Sequence, residues 1–166
     1  MGSAFRDVDT VFHTAALAGI WGRREEYQSI NVQGTANVLQ SCRDHGVSRL
    51  VYTSTPSVVF DRRDIAGGTE DLPYATRFLC HYARTKAAAE QMVLAANGAT
   101  LTTCAIRPHL VWGPGDPHLI PRLVASGRKR LLKRVGTGAN LVDISYVDNV
   151  AHAHLLAAAN LESGGS

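Results

Sequence analysis

Tyr82 and Lys86 stand four residues apart in Tyr82-Ala83-Arg84-Thr85-Lys86, a spacing that puts both side chains on one face of a helix. A free tyrosine, with a pKa of about 10, holds its proton too tightly to exchange it at neutral pH. A positive charge fixed beside the phenol stabilises the phenolate and lowers that pKa, which makes a usable general acid/base. Upstream lies a run of hydroxyls, Thr53-Ser54-Thr55, at the end of an apolar segment. A hydroxyl placed there can hold the oxygen of a carbonyl or an alcohol. The set suits interconversion of those two groups, with a nicotinamide giving or taking the hydride. The pair alone fits an exposed tyrosine and lysine on an amphipathic helix equally well, so the surrounding chain has to decide.

The elements that must position these groups are legible as alternating strands and helices. A short strand runs through Asp9-Thr10-Val11-Phe12-His13-Thr14 into Ala15-Ala16, and a helix spans residues 25–45, its apolar positions Ile30, Val32, Ala36, Val38 and Leu39, ended by Gly46. Arg49-Leu50-Val51-Tyr52-Thr53 is a second strand, apolar enough to be buried on both faces. A charged, glycine-containing loop covers 61–73, and the Tyr82 helix runs over 81–96 to Asn97-Gly98. A third strand at 101–107 leads into Pro108. A Trp112-Gly113-Pro114-Gly115-Asp116 loop, a helix at 119–127, a β segment at 141–146, a helix at 148–159 and a frayed tail from Glu162 complete the chain. This order predicts an α/β fold with βαβ crossovers and a parallel sheet. Sites in such sheets lie at the carboxyl ends of the strands. Ala15-Ala16, Thr55 and Pro108-His109 follow strands and Tyr82 opens a helix, so the suspicious residues converge there.

Composition narrows the function classes. The 166 residues suffice for one core, and 45% hydrophobic with 19% charged residues is ordinary for a globular domain. A net charge of +3, clustered at Arg128-Lys129-Arg130 and Lys133-Arg134, is too short a stripe for nucleic-acid binding. Cys42, Cys80 and Cys104 have neither metal-ligand spacing nor an even count, so they read as reduced thiols of a cytoplasmic protein. No apolar run is long enough to span a membrane. His152 and His154 are two apart on a helix and point to different faces, which argues against a shared metal. His13 reads as a packed, hydrogen-bonded histidine, Trp21 and Trp112 as core or pocket walls, and Asp148 as a helix cap.

Taken together and in order, several segments resemble the extended short-chain dehydrogenase/reductase family in its 3β-hydroxysteroid dehydrogenase-like branch. They are Asp9 to Ala16, Asn31-Val32-Gln33-Gly34-Thr35, Tyr52 to Thr55, the Tyr82/Lys86 pair, Arg107-Pro108 with Gly113 to Asp116, and Tyr146-Val147-Asp148-Asn149-Val150-Ala151-His152-Ala153. Within that branch, Ala15 to Gly22, Tyr52 to Val59 and Leu110 to Asp116 are similar to the bacterial 2-alkyl-3-oxoalkanoate reductases, which implies a β-keto acid substrate and NADPH as reductant.

The resemblance implies a role for each matching position. Tyr82 would donate and accept the proton, and Lys86 would lower its pKa and bind the nicotinamide ribose. Thr55 falls on the catalytic hydroxyl, with Ser54 as the alternative one residue earlier. Asn31 would support the proton relay or the cofactor. Ala15, Ala16, Pro108, His109 and Leu110 would line the cofactor, NADP or NAD. Family members also dimerise, which here implicates the two helices around Val38 and Met92.

The family's opening glycine-rich strand-turn-helix, which seats a pyrophosphate, has no counterpart before Asp9. Gly136-Thr137-Gly138-Ala139-Asn140 is a poor substitute late in the chain. The chain therefore reads as one truncated domain over 1–166: residues 1–110 supply three Rossmann-like strands, the fourth to sixth, and the catalytic helix, and 111–166 a substrate-side segment and the last helix. Roughly 60 residues, two overlapping βαβ units, would precede it. Two alternatives remain open: a sugar-nucleotide epimerase or dehydratase built on the same triad, and an inactive fragment that lacks a phosphate loop.

Overall fold

The computed structural model describes residues 2–117 and 119–162. Three parallel strands, β1 (Thr10–His13), β2 (Arg49–Thr53) and β3 (Thr102–Ile106), form one sheet in the order β1-β2-β3. Val11 pairs with Leu50, and Val51 with Cys104. The middle strand is buried at Leu50, Val51 and Tyr52, as a near-continuous apolar run in a parallel sheet requires.

Between β1 and β2 the chain is helical from Arg24 to His45, in three pieces: α1 (Arg24–Tyr27), a π-helical stretch (Gln28–Gln33) and α2 (Gly34–His45). The π stretch changes the phase of the apolar stripe. Asn31 is buried and Ile30 is exposed, opposite to what 3.6-residue periodicity predicts for Ile30. Gly46 ends α2 in the left-handed region with φ +68°, a conformation glycine adopts without a Cβ penalty.

Helix α3 (His81–Ala95) carries the Tyr82 segment between β2 and β3. The core lies between the sheet and these helices, where Val38, Leu39 and Cys42 of α2 meet Leu50 and Tyr52 of β2 and Ala89 and Val93 of α3. Val38 and Met92 both belong to this packing. Any self-association through their helices therefore uses other faces of those helices; Leu94 of α3 is exposed.

Beyond β3 the expectation is only partly met. Val111–Trp112 forms a short strand, β4, where a loop was expected, and pairs in parallel with β5, which covers only Ser145–Tyr146 instead of 141–146. Leu141 to Ile144 have no ladder partner and are exposed, Leu141 at 99%. Helix α4 (Leu119–Arg128) is capped by Asp116, whose carboxylate accepts from the Leu119 and Ile120 amides at 3.1 and 2.8 Å. The last helix, α5, runs from Val147 to Glu162. Asp148 therefore lies inside its first turn, where a negative charge is favourable, rather than at its cap. Glu162 is not frayed: it ends the helix and pairs with Arg49 at 3.0 Å. The rest of the expected tail, from Ser163, lies outside the described residues.

Candidate active site

The carboxyl ends of β1, β2 and β3 bring the sequence-predicted residues to one rim. Thr55 follows β2 and caps a short 3-10 turn, Pro56–Val58, its hydroxyl oxygen accepting from the Ser57 amide at 3.3 Å. Its hydroxyl also faces the Tyr82 phenol and favours the phenolate. Burial acts the other way and is the larger effect, so the Tyr82 pKa is raised. The expected depression of that pKa by Lys86 is therefore not what the free site contains. Ser54 is buried, and its hydroxyl has no hydrogen-bond partner among the described residues. Of the two candidate hydroxyls, Thr55 is the one that meets Tyr82.

Lys86 is 2% exposed. Its ammonium donates to the Thr53 carbonyl at 2.5 Å and lies 4.0 Å from the centre of the Tyr52 ring, a cation–π contact. Burial lowers its pKa to about 8, against a raising influence from the Glu90 carboxylate one turn further along α3. The helix thus presents Tyr82, Lys86 and Glu90 in succession on one side, from the rim inward.

Asn31 works as a clamp. Its side-chain oxygen accepts from the Leu17 amide at 2.7 Å, and its amide nitrogen donates to the Leu17 carbonyl at 3.1 Å and to Thr85 Oγ1 at 3.0 Å. The segment after β1, which holds exposed Ala15 and half-buried Ala16, is thereby tied to the Tyr82 helix. His13 is buried, with Nε2 2.9 Å from Thr35 Oγ1 and its ring 5.4 Å from that of Tyr52. Burial, helped by the Lys86 charge, pushes its pKa down to about 4. It is the packed histidine the sequence implies.

Pro108, His109 and Leu110 follow β3 as expected but diverge. Pro108 lines an apolar groove of about 470 Å³ with Phe12, Thr53 and His154, and His109 lines a separate cavity with Ser57 and Phe60. Leu110 is exposed with φ +42°. A third cavity, of about 360 Å³, opens directly on Tyr82, walled by Ile20, Phe60, Leu79 and Cys80. Trp21, 90% exposed, is no part of the core; Trp112 is half-buried and packs edge-on against Tyr146.

The sequence reading gave no site role of their own to four residues. Glu90 is fully buried and receives Arg107 and Tyr74; His154 Nε2 lies 2.7 Å from Thr53 Oγ1, with Nδ1 2.7 Å from the Val150 carbonyl. Glu90 had a usable signal, an acid continuing the Tyr82/Lys86 spacing inside an alanine-rich helix. Among the described residues no group of three or more His, Cys, Asp or Glu could hold a metal. No helix there is long and apolar enough to cross a membrane. Gly136 and Gly138 have positive φ but precede the strand β5, not a helix, so they form no helix-terminal phosphate seat.

The parallel α/β sheet thus gathers a tyrosine, a lysine and a strand-end hydroxyl at its carboxyl edge. The chain belongs to the 3-beta hydroxysteroid dehydrogenase/isomerase family, whose sequence profile matches residues 1–166. It is 51% identical over 165 residues to a 2-alkyl-3-oxoalkanoate reductase of Shewanella oneidensis, covering 95% of this chain and 43% of that protein. A protein of the same description from Stenotrophomonas maltophilia is also 51% identical, over 98% of this chain and 50% of its own length. Among solved structures, MoeE5 in complex with UDP-glucose and NAD superposes with a TM-score of 0.77 at 36% identity, covering 94% of this chain and 54% of that one. The chain spans about half the length of the curated relatives it matches.

Proposed function

We propose that this chain carries the proton-transfer side of an NAD(P)-dependent oxidoreductase site that interconverts a ketone and a secondary alcohol. The observation that carries the reading is the meeting of the Tyr82 phenol with the Thr55 hydroxyl at the strand ends, with the Lys86 ammonium buried behind. Thr55 orients the substrate oxygen, and Tyr82 Oη delivers the proton to it. Because burial raises the Tyr82 pKa, the phenol is protonated at neutral pH, which suits ketone reduction. A bound nicotinamide would supply the hydride.

The residues present fit the nicotinamide end of such a cofactor. Lys86, with one N–H given to the Thr53 carbonyl, keeps two further donors and Tyr82 a hydroxyl for the ribose; Asn31 holds the Ala15–Ala16 segment, and of the residues after β3 Pro108 lies beside Thr53 in the apolar groove. The glycine-containing turn from β4 into α4, Gly113 to Asp116, has its helix N-terminus capped by the Asp116 carboxylate, an anion where a phosphate would sit, so the proposal is confined to the nicotinamide end. NADPH is favoured over NADH on the resemblance of Ala15 to Gly22, Tyr52 to Val59 and Leu110 to Asp116 to the 2-alkyl-3-oxoalkanoate reductases. The apolar walls beside Tyr82, Ile20, Phe60 and Leu79, favour a β-keto acid with alkyl chains or a 3β-hydroxysteroid-like alcohol over a polar sugar nucleotide. Residues 1–110 would form the nucleotide side and 111–166 the substrate side. Cytoplasmic residence and a homodimer through the exposed sides of α2 and α3 belong to the same reading.

Two measurements test it. Fluorescence titration of the chain with NADPH and NADH should give saturable binding; a folded chain without it would favour an inactive fragment. With a 2-alkyl-3-oxo acid as substrate, Tyr82→Phe should lower kcat by roughly 10²–10⁴-fold with NADPH affinity nearly unchanged. Parent-like turnover from that variant would end the proposal.

A further inference from the structure

Glu90 is the one acidic side chain in the described core with no exposed surface, and an isolated buried carboxylate is strongly disfavoured. It is satisfied from two directions. Arg107, immediately after β3, donates through Nη2 to Oε1 at 2.5 Å and through Nε to both oxygens at 3.1 and 3.2 Å. Tyr74 donates its hydroxyl to Oε1 at 2.8 Å. These two partners, themselves in contact through the Arg107 guanidinium 5.7 Å from the Tyr74 ring centre, lead to two different segments near the site. Arg107 adjoins Pro108-His109-Leu110. Tyr74 belongs to the segment whose next residue, Ala75, donates its amide to the Val58 carbonyl at 2.9 Å, and Val58 follows Thr55 by three positions.

We infer that Glu90 is a positioning residue of the Tyr82 site, locking α3, the end of β3 and the Tyr74 segment into one block while holding a negative charge behind the Lys86 ammonium. The inference rests on Tyr82 being the acid/base, and it deepens that reading without adding a contact to substrate. The electrostatic half follows from what surrounds Lys86. From β2 it meets the Thr53 carbonyl and the Tyr52 ring, from β1 the neutral His13, and from its own helix Glu90. Glu90 is the sole anionic side chain in that set, so it is what keeps an ammonium tolerable at this depth. The geometric half follows from Arg107, whose bidentate fork demands a fixed carboxylate.

The chain has three lysines, Lys86, Lys129 and Lys133, so selective ¹³Cε labelling makes the Lys86 titration readable by NMR without any turnover. Glu90→Gln should move the Lys86 midpoint to lower pH. With NADPH and a 2-alkyl-3-oxo acid it should lower kcat by about tenfold or more, with KM changed much less, since small misplacements of reacting groups are costly. Should Glu90→Gln fail to fold, Glu90→Gln combined with Arg107→Met spares the Arg107 guanidinium the loss of its partner, and its Lys86 midpoint and kcat are read against Arg107→Met alone. An unchanged Lys86 midpoint with parent-like kcat, whatever happens to stability, would overturn the inference and mark Glu90 as a purely structural anchor. Tyr82→Phe run alongside separates the failures. If it is inactive while Glu90→Gln behaves like the parent, only the Glu90 inference falls; if Tyr82→Phe turns over normally, both fall.

Discussion

The Lys86 ammonium donates to the Thr53 carbonyl at 2.5 Å, so the charge one helical turn beyond Tyr82 is anchored to the strand that leads into the Thr53-Ser54-Thr55 hydroxyl run. Helix α3 and strand β2 are thereby coupled at the point where Tyr82 and Thr55 meet. The coupling has an energetic cost, because Lys86, 2% exposed, gives up its hydration for one carbonyl, one aromatic face and the more distant Glu90 charge.

That cost is measurable as a pH dependence. The Lys86 pKa is about 8 in the folded chain against 10.5 for the ordinary side chain. Between these values the unfolded state binds more protons, so Lys86 makes stability rise with pH. The folded chain should gain about 1 kcal/mol between pH 7 and 9 relative to Lys86→Met. Urea denaturation of both proteins across that range checks it, and a constant difference would refute it.

His13 acts in the acid range with the same sign. Its folded pKa of about 4 lies below the ordinary 6.5, so the unfolded state is again the better proton acceptor and stability falls as pH drops through that window. On lowering pH from 7 to 5 the chain should lose about 2 kcal/mol through this group. His13→Gln should flatten that slope while retaining a hydrogen-bonding group toward Thr35. The observable is the shift in urea midpoint between the two pH values.

The adjacent hydroxyls should separate cleanly. Thr55→Val removes the group that faces Tyr82 and is expected to lower turnover by about 10²-fold, with Thr55→Ser retaining most of it. Ser54→Ala deletes a buried hydroxyl that has no partner among the described residues and should stabilise the fold by up to about 1 kcal/mol, leaving kcat near the parent value. A turnover loss confined to Ser54→Ala would shift the catalytic register by one residue.

Asn31→Ala removes three hydrogen bonds, two of them to the backbone of Leu17. We expect a loss of about 3 kcal/mol, with amide exchange at Leu17 accelerated well before the strands exchange. Slow, unchanged exchange at Leu17 would show that other contacts hold that segment.

Much of this arrangement was determined by the sequence alone, because it depends on local spacing. A four-residue interval fixes which face of a helix Tyr82 and Lys86 share. An apolar run from Leu50 to Tyr52 can only be a central strand. A strand followed by Ala15-Ala16, by Thr55 or by Pro108 places those residues at the sheet's carboxyl edge. What the tertiary structure alone decided involves partners far apart in sequence: Lys86 with Thr53, Asn31 with Leu17 and Thr85, Glu90 with Tyr74 and Arg107. The same holds for the direction of the Tyr82 pKa, which sequence spacing assigned to the lysine charge and which burial reversed. The π-helical stretch that buries Asn31 in place of Ile30 breaks the period on which the local reading rests. Each of these depends on how deeply a polar group is desolvated and what it finds there, and only the packed chain sets those two quantities.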